Sequence, residues 1–437
     1  DEKVCAEYAC FVNCENFQAM FRALDDEYMQ ARAADIGDIS QRVIKNLKGI
    51  ADNAIDTITE PCIIVANDLT PSDTAKIGGK PVAGFITKIG GRTSHSAIMA
   101  RSMGIPAIVG AGEKADEIAD GDLLLIDGAA GEVVAQPDEQ TLADFAERQK
   151  ADAAHRAMLA QYKDKEGTTS DGRRVIIEGN IGTPDDAVRV AELGGEGVGL
   201  FRSEFLFMDR TDLPSEEEQF AAYKKACEIM QGKPVIIRTL DIGGDKEVPA
   251  LALEQEQNPF LGYRAIRICL NQPELFLIQL RALLRAAQYG DLRIMFPMIS
   301  SVDEVRDAKQ VLEQAKDMLT AEGVPFNPNV KVGIMVEIPV AAVCADVLAK
   351  EVDFFSIGTN DLIQYSCAVD RINEKISYLY RPLHPGVLRL IAMTAKAANE
   401  NGIEVGVCGE MAGTAGMAPV LCGLGVTNLS MSASAML

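Results

Sequence analysis

The run GGRTSHSAIMAR, residues 90–101, puts one histidine where phosphoryl chemistry is readily supported. The apolar stretch Val82 to Ile89 reads as a strand and ends in Gly90 and Gly91, which let the backbone turn tightly and approach a ligand. Thr93 or Ser94 is suited to cap a helix running through Ile98 and Met99, so that His95 falls in its first turn. Free backbone N–H groups and the positive end of the helix dipole favour an anion there, and Arg92 adds a fixed charge. A neutral imidazole nitrogen is a good nucleophile toward phosphorus and can carry the group covalently. A histidine in such a place, taken alone, more often caps or packs. The residues further along the chain change that balance.

Beyond Gly167 strand-like and helix-like runs alternate. β-type runs fall at 174–182, 197–203, 234–240, 292–297, 331–337, 353–358, 403–408 and 427–431, with helical periods between them at 215–231, 275–289, 302–321 and 386–401. Eight parallel strands with crossover helices make a (β/α)8 barrel, whose active site lies at the C-terminal strand ends. Charged groups directly after apolar strands are costly to bury unless paired or bound to a ligand. This sequence places several there: Arg202 and Glu204 after the second run, Arg238 and Asp241 after the third, and Glu337 after the fifth. Asn360 and Asp361 follow the sixth, with Arg371 in the next loop, and Cys408 and Glu410 follow the seventh. Singly, each arginine is as well explained by a structural ion pair, and Cys408 better explained as a buried thiol. Jointly, on one rim, they describe a site for an anionic substrate.

The histidine run resembles the phosphohistidine signature shared by enzyme I of the bacterial phosphoenolpyruvate:sugar phosphotransferase system and by the pyruvate phosphate dikinase and phosphoenolpyruvate synthase enzymes. The runs GVGLFRSEFLFM (197–208), RTLDIGGDK (238–246), NPFLGYR (258–264) and CGEMAG (408–413) look like enzyme I, and the resemblance covers nearly the whole chain. It implies an α/β chain with a phosphohistidine swivelling α/β domain followed by a TIM barrel, and a partial N-terminal helical domain. His95 would be phosphorylated by phosphoenolpyruvate and pass the group to a small histidine-containing phosphocarrier protein. Arg202, Arg238, Asn360, Asp361 and Arg371 would bind phosphoenolpyruvate, with Lys246 and Arg264 as further phosphate contacts. Guanidinium groups suit this because they grip phosphate and carboxylate bidentately and spread charge during transfer. Glu337 and Asp361 would hold Mg²⁺, a hard cation that bridges substrate oxygens. Cys408 would protonate the terminal carbon of the enolate to give pyruvate. Ile338 stands where the family has a threonine after the metal glutamate, a change expected to affect packing more than chemistry. A dikinase or synthase would charge the histidine from a nucleotide through an ATP-grasp domain, for which this chain has neither the length nor a Gly-rich loop. A sensor that binds phosphoenolpyruvate without catalysis is the rival of another class.

A formal charge of −22 with no basic stripe argues against a nucleic-acid partner. No apolar run approaches the ~20 residues of a membrane span, and no signal-peptide pattern opens the chain, so the expected location is the cytoplasm. Ten cysteines, mostly scattered singly, read as structural thiols of a reducing compartment. Four regions are expected. Residues 1–49, helical by their apolar spacing, resemble the end of the carrier-docking domain in the stretches LDDEY (24–28) and RAADI (32–36). Residues 50–139 form the phosphohistidine unit, with strands at 61–67 and 82–89, an apolar run at 106–109, and a hairpin of 122–126 with 132–135. Residues 140–168 are a linker helix that includes a surface His155, and 169–437 are the barrel. The chain stops just past the eighth strand, so a form truncated at both ends, without the last barrel helix, is expected. The full-length protein is expected to be a homodimer through its barrel.

Overall fold

The computed structural model describes the chain apart from residues 1–3, 23–35, 38, 41, 42, 45, 46, 49–54, 56, 70–72, 74, 75, 78, 79, 91–99, 101–103, 209, 211, 245–247, 252, 255, 372 and 374. Two units divide it, Asp1–Ala154 and His155–Leu437. In the first, helix α1 (Ala6–Arg22) leaves Tyr8, Phe11, Phe17 and Met20 exposed. The LDDEY stretch and most of RAADI lie outside the described residues.

Strands β1 (Cys62–Ala66), β2 (Val82–Thr87) and β3 (Ala107–Ile108) form a parallel sheet with β2 in the middle. A central strand buries both faces, and alternation sends consecutive side chains to opposite sides. Phe85 accordingly joins a cluster with Leu69, Ile77 and Ala100, while Ile86 joins Ala115 and Ile126. After β2 the chain reaches Gly90, whose φ of 110° is open to glycine and strained for other residues. The next residues, 91–99, lie outside the described set and include Arg92, Thr93, Ser94 and His95. The expected hairpin is present as antiparallel β4 (Leu124–Asp127) and β5 (Glu132–Ala135). Asp127 fixes its turn by accepting from the backbone N–H groups of Ala129 and Ala130, both at 3.0 Å. Helix α2 (Glu139–Ala160) follows; it ends before the sequence pattern suggests and buries none of its side chains, His155 included.

The second unit begins with a short β6 (Gly167–Thr168), antiparallel to β7 (Arg174–Ile181). From β7 a parallel sheet continues through β8 (Val198–Arg202), β9 (Val235–Arg238), β10 (Leu292–Phe296), β11 (Lys331–Val336), β12 (Phe354–Ile357), β13 (Glu404–Val407) and β14 (Asn428–Ser432). β14 pairs in turn with β7, which closes the barrel. Seven of the eight strands sit within the runs read from sequence, shortened where the backbone leaves the ladder, and β14 extends one residue past its run, to Ser432. Leu200, Ile236, Met295, Met335, Phe354 and Cys408 fill the interior. The crossover helices pack outside: α3 (Asp186–Glu192), α4 (Glu216–Met230), α5 (Ile266–Asn271), α6 (Pro273–Ala286), α7 (Val302–Glu322), α8 (Pro339–Val343), α9 (Ala345–Leu348), α10 (Thr359–Cys367), α11 (Pro385–Asn401) and α12 (Met417–Gly423). Capping boxes start α4 at Ser215 with Glu218 and α7 at Ser301 with Glu304, satisfying N–H groups that a helix start leaves open.

One polar side chain from the outer layer ties three elements to the rim. Gln279 of α6 is buried; its Nε2 donates to Ser203 Oγ at 3.0 Å and to Tyr223 Oη at 3.1 Å. Its Oε1 accepts from the Leu240 backbone N–H at 2.9 Å, and Ser203 in turn donates to the Arg238 carbonyl at 2.6 Å. The ends of β8 and β9 are thereby fixed against α4 and α6. Gln279→Leu leaves the Leu240 N–H without its partner and removes two donors, so a stability loss of about 2–3 kcal/mol is expected. A urea titration followed by far-UV circular dichroism reads this as a lower midpoint.

Candidate active site at the barrel rim

The residues after β8, β9, β11, β12 and β13 meet in one connected set. Arg238, the last residue of β9, is buried; its guanidinium pairs with Glu204 at 2.5 Å and with Asp241 at 2.7 Å. Asp241 uses its other oxygen to hold Arg264 at 2.9 Å, and Arg264 lies 3.8 Å from Asp361. Arg264 also donates to Tyr365 Oη at 3.1 Å, while that hydroxyl donates to the Phe260 carbonyl at 2.5 Å. Burial works against charge on both arginines, yet Asp241 on each, with Glu204 on Arg238 and Asp361 on Arg264, outweighs it and holds their pKa values above the ordinary guanidinium range. Arg202, in register with Arg238 across β8 and β9, is exposed, its guanidinium 4.8 Å from the Phe205 ring centre. Among the described residues no carboxylate lies within ion-pair distance of it.

Glu337 is 1 % exposed just past β11, and its Oε1 accepts from the Met298 backbone N–H at 2.6 Å. Met298 reaches it from a φ of 55°, and Ala265, next to Arg264, has a φ of 54°. Such left-handed geometry in residues with a Cβ is costly and gathers where function over-determines the backbone. Burial first, then Asp361 and Asp241, push the Glu337 carboxyl up to about 8 despite Arg238 and Arg264. A buried carboxyl raised in part by a neighbouring carboxylate is what a divalent cation would relieve, and both groups offer hard oxygen donors, so Glu337 and Asp361 fit such an ion. Gly358 stays clear of them: a Cβ there would lie 3.0 Å from Glu337 Oε2.

Asn360 Oδ1 accepts from the Glu410 backbone N–H at 3.0 Å, tying the start of α10 to the segment after β13. Cys408 is buried in the barrel interior, its thiol 3.8 Å from the Ile357 carbonyl. Burial pushes this thiol up to about 11, against the pull of Ser356 and Arg238, so it keeps its proton at neutral pH. Arg371 is half-buried in the loop after α10 and, with Asp361 and Glu410, acts on the Tyr380 hydroxyl, which burial raises to about 12. The rim thus brings together Arg202, Arg238, Arg264, Glu337, Asn360, Asp361, Arg371 and Cys408, whereas Lys246 and His95 lie outside the described residues.

Tyr365, Thr239 and Thr359 were not singled out by the sequence reading. Among the described residues, the hydroxyls of Thr239 and Thr359 and the Nε atoms of Arg238 and Arg264 are buried without a hydrogen-bond partner. Buried orphans of this kind call for an unseen acceptor or donor, and substrate oxygens would supply it. Their sequence signal was adjacency: each threonine sits beside a singled-out residue, Arg238 or Asn360.

Residues 156–437 match the family described as PEP-utilising enzyme, PEP-binding domain, and residues 58–131 match PEP-utilising enzyme, mobile domain. The barrel with its arginine and carboxylate rim is therefore of the phosphoenolpyruvate-utilising class. The chain is 53 % identical over 437 residues to the phosphoenolpyruvate-protein phosphotransferase of Priestia megaterium, covering 100 % of this chain and 76 % of that protein. It is 52 % identical over 436 residues to the protein of that name from Bacillus subtilis (strain 168), with the same two coverages. An NMR solution structure of Enzyme I is 41 % identical over 33 % of this chain and 58 % of that one, with a TM-score of 0.28. The chain belongs to the phosphoenolpyruvate-protein phosphotransferase family.

Without a cation, the raised carboxyl of Glu337 destabilises the fold as it ionises. Its contribution is most favourable below the ordinary 4.5 and is lost as pH rises through about 8. Glu337→Gln is therefore expected to be the more stable protein in chelator at pH 8, with the advantage fading toward pH 4.5. Urea midpoints measured across that window check the sign.

Proposed function

We infer that the barrel binds phosphoenolpyruvate, that the phosphoryl group moves to His95 and then to a histidine of a small phosphocarrier protein, and that pyruvate is released. The observation carrying this reading is that Arg238, Glu337, Asp361 and a protonated Cys408 share one rim, as cleavage of an enol phosphate requires. Arg202, Arg238 and Arg371 grip the phosphate and carboxylate, Arg264 and Lys246 add phosphate contacts, and Asn360 orients the substrate. A neutral nitrogen of His95 attacks phosphorus as the bond to the enol oxygen breaks, so an N–P bond replaces a P–O bond. The electron pair left on the enolate takes the Cys408 proton at its terminal carbon, giving pyruvate and a thiolate. Glu337 and Asp361 would hold Mg²⁺, which when bound neutralises charge on the substrate oxygens. One imidazole cannot serve substrate and carrier at once, so His95 moves between them, on the microsecond-to-millisecond scale usual for such motions.

Radiolabelled phosphoenolpyruvate tests the reading. An acid-labile label on His95 that disappears in His95→Ala supports the enzyme, and substrate binding with no label supports a sensor. Cys408→Ala is expected to retain phosphoryl transfer to His95 while net pyruvate turnover falls by roughly 100-fold or more. Equal loss of both removes the thiol from its role.

We place a second copy of the chain against the outer helices α8, α9 and α11, where Val340, Val343, Val347 and Met393 remain exposed. Val343→Glu is expected to shift the protein from dimer to monomer in sedimentation-velocity runs; an unchanged sedimentation coefficient places the dimer contact elsewhere.

A further inference from the structure

The lower half of the barrel holds a carboxyl group that the reaction above does not use. Glu178 of β7 is 2 % exposed, and among the described residues its Oε1 has no hydrogen-bond partner. Such a group is expensive to bury and stands out in an interior otherwise filled by Leu200, Ile236, Met295, Met335 and Phe354. It borders a small cavity that it shares with Ser356, Asn428 and Ser430, polar enough and of about the size to hold one water molecule. Glycines keep the space open. A Cβ at Gly199 would lie 2.5 Å from Ser430 Oγ and 2.7 Å from Glu178 Oε2.

The same cavity is connected to Cys408. Ser356 lines it and is also the neighbour that most strongly opposes the rise of the Cys408 thiol pKa. On the neighbouring wall, Ser430 Oγ donates to Asn180 Oδ1 at 2.6 Å, and Asn180 Nδ2 donates to the Cys408 carbonyl at 2.8 Å. Below, toward the strand starts, Glu178 feels Arg293 of β10, Glu404 of β13, Asn428 of β14 and Glu196 ahead of β8. Arg293 is buried and held by Asp291 and Glu404, each at 2.8 Å, and Glu404 is partly open to solvent. A carboxyl group at the bottom, a hydroxyl-lined space above it and a thiol at the top therefore form a polar column through the barrel.

We propose that Glu178 is the internal proton store that restores the Cys408 thiol after each turnover, acting through Ser356 and water in the cavity. The proposal rests on the reading of Cys408 as proton donor. When the thiol has given its proton to the enolate carbon, product covers it from above and strand walls surround it. The route left runs down the column. The Glu178 carboxyl gives its proton to the bridging water as that water passes one through Ser356 to the Cys408 thiolate. The S–H bond forms, a carboxylate remains, and solvent reprotonates it at the Glu404 end. Burial, and Glu404 and Glu196 nearby, push the Glu178 carboxyl up to about 7 against Arg293 and Asn428, so near neutrality it is partly protonated and can donate downhill to a thiolate. Glu178 is on this account a positioning residue for the proton and does not touch substrate.

The experiment follows pyruvate formation by rapid quench, with phosphocarrier protein as acceptor, in the parent, Glu178→Gln, Ser356→Ala and Cys408→Ala. The first pyruvate per chain uses the proton already on Cys408, so its rate and amplitude are expected to be unchanged in Glu178→Gln and Ser356→Ala. Later turnovers are expected to slow by roughly tenfold in both. The decline in turnover of the parent as pH passes about 7 is expected to be absent in Glu178→Gln. Turnover equal to the parent with the same pH profile in both variants overturns the relay. A normal first turnover in Cys408→Ala overturns the underlying reading instead. Circular dichroism of each variant separates these outcomes from loss of fold, and should Glu178→Gln fail to fold, Ser356→Ala alone decides through its ratio of first to later turnovers.

Discussion

Asp241 holds two guanidinium groups at once, one on each oxygen, while it is almost completely removed from water. In that setting the attraction between charges is strong, but removing a single partner leaves a buried charge uncompensated, typically at a cost of about 3–5 kcal/mol. The position of Arg238 is consequently coupled to that of Arg264, and through Arg264 to Asp361. The carboxylates after β9, β11 and α10's first turn and the arginines between them form one electrostatic unit. Within this unit burial first, and then the neighbouring carboxylates Asp361 and Asp241, keep the Glu337 carboxyl raised. A site of this kind is poised for an additional cation and an anionic substrate, whose charges complete the balance.

Much of this was legible in the amino-acid sequence. A parallel barrel strand is buried on both faces, so it appears as a continuous apolar run, and the residue that ends it with a charge marks the rim. Arg202, Arg238 and Glu337 carried that signal. Most runs overshot the ladders because apolar residues continue to be buried after the last backbone pairing: 234–240 was read where the strand is Val235–Arg238, and Leu240 is still fully covered.

What could not be read were the partners. Arg264 meets Tyr365 across 101 residues and Glu337 meets the Met298 amide across 39, and no local pattern encodes such meetings. Backbone conformation was equally hidden, since neither Met298 nor Ala265 is a residue type that announces a positive φ. The Gln279 bridge was missed for a related reason: on an amphipathic helix a glutamine reads as the solvent side, and only its three buried partners reveal that it faces inward. Glu178 broke the strand pattern openly, but a lone carboxylate inside an apolar run has no chemistry until Ser356, Ser430 and the space between them are known.

Helix α2 buries none of its side chains, so tertiary packing contributes little to its helical order. Its 22 residues extend about 33 Å when fully helical. An isolated helix of this length in water is held mainly by backbone hydrogen bonds and is close to its helix–coil balance. Unwinding α2 would expose no fully buried side chain of its own. Its order therefore rests on its own backbone hydrogen bonds and on surface ion pairs such as those of Arg148 with Asp127 and Glu132.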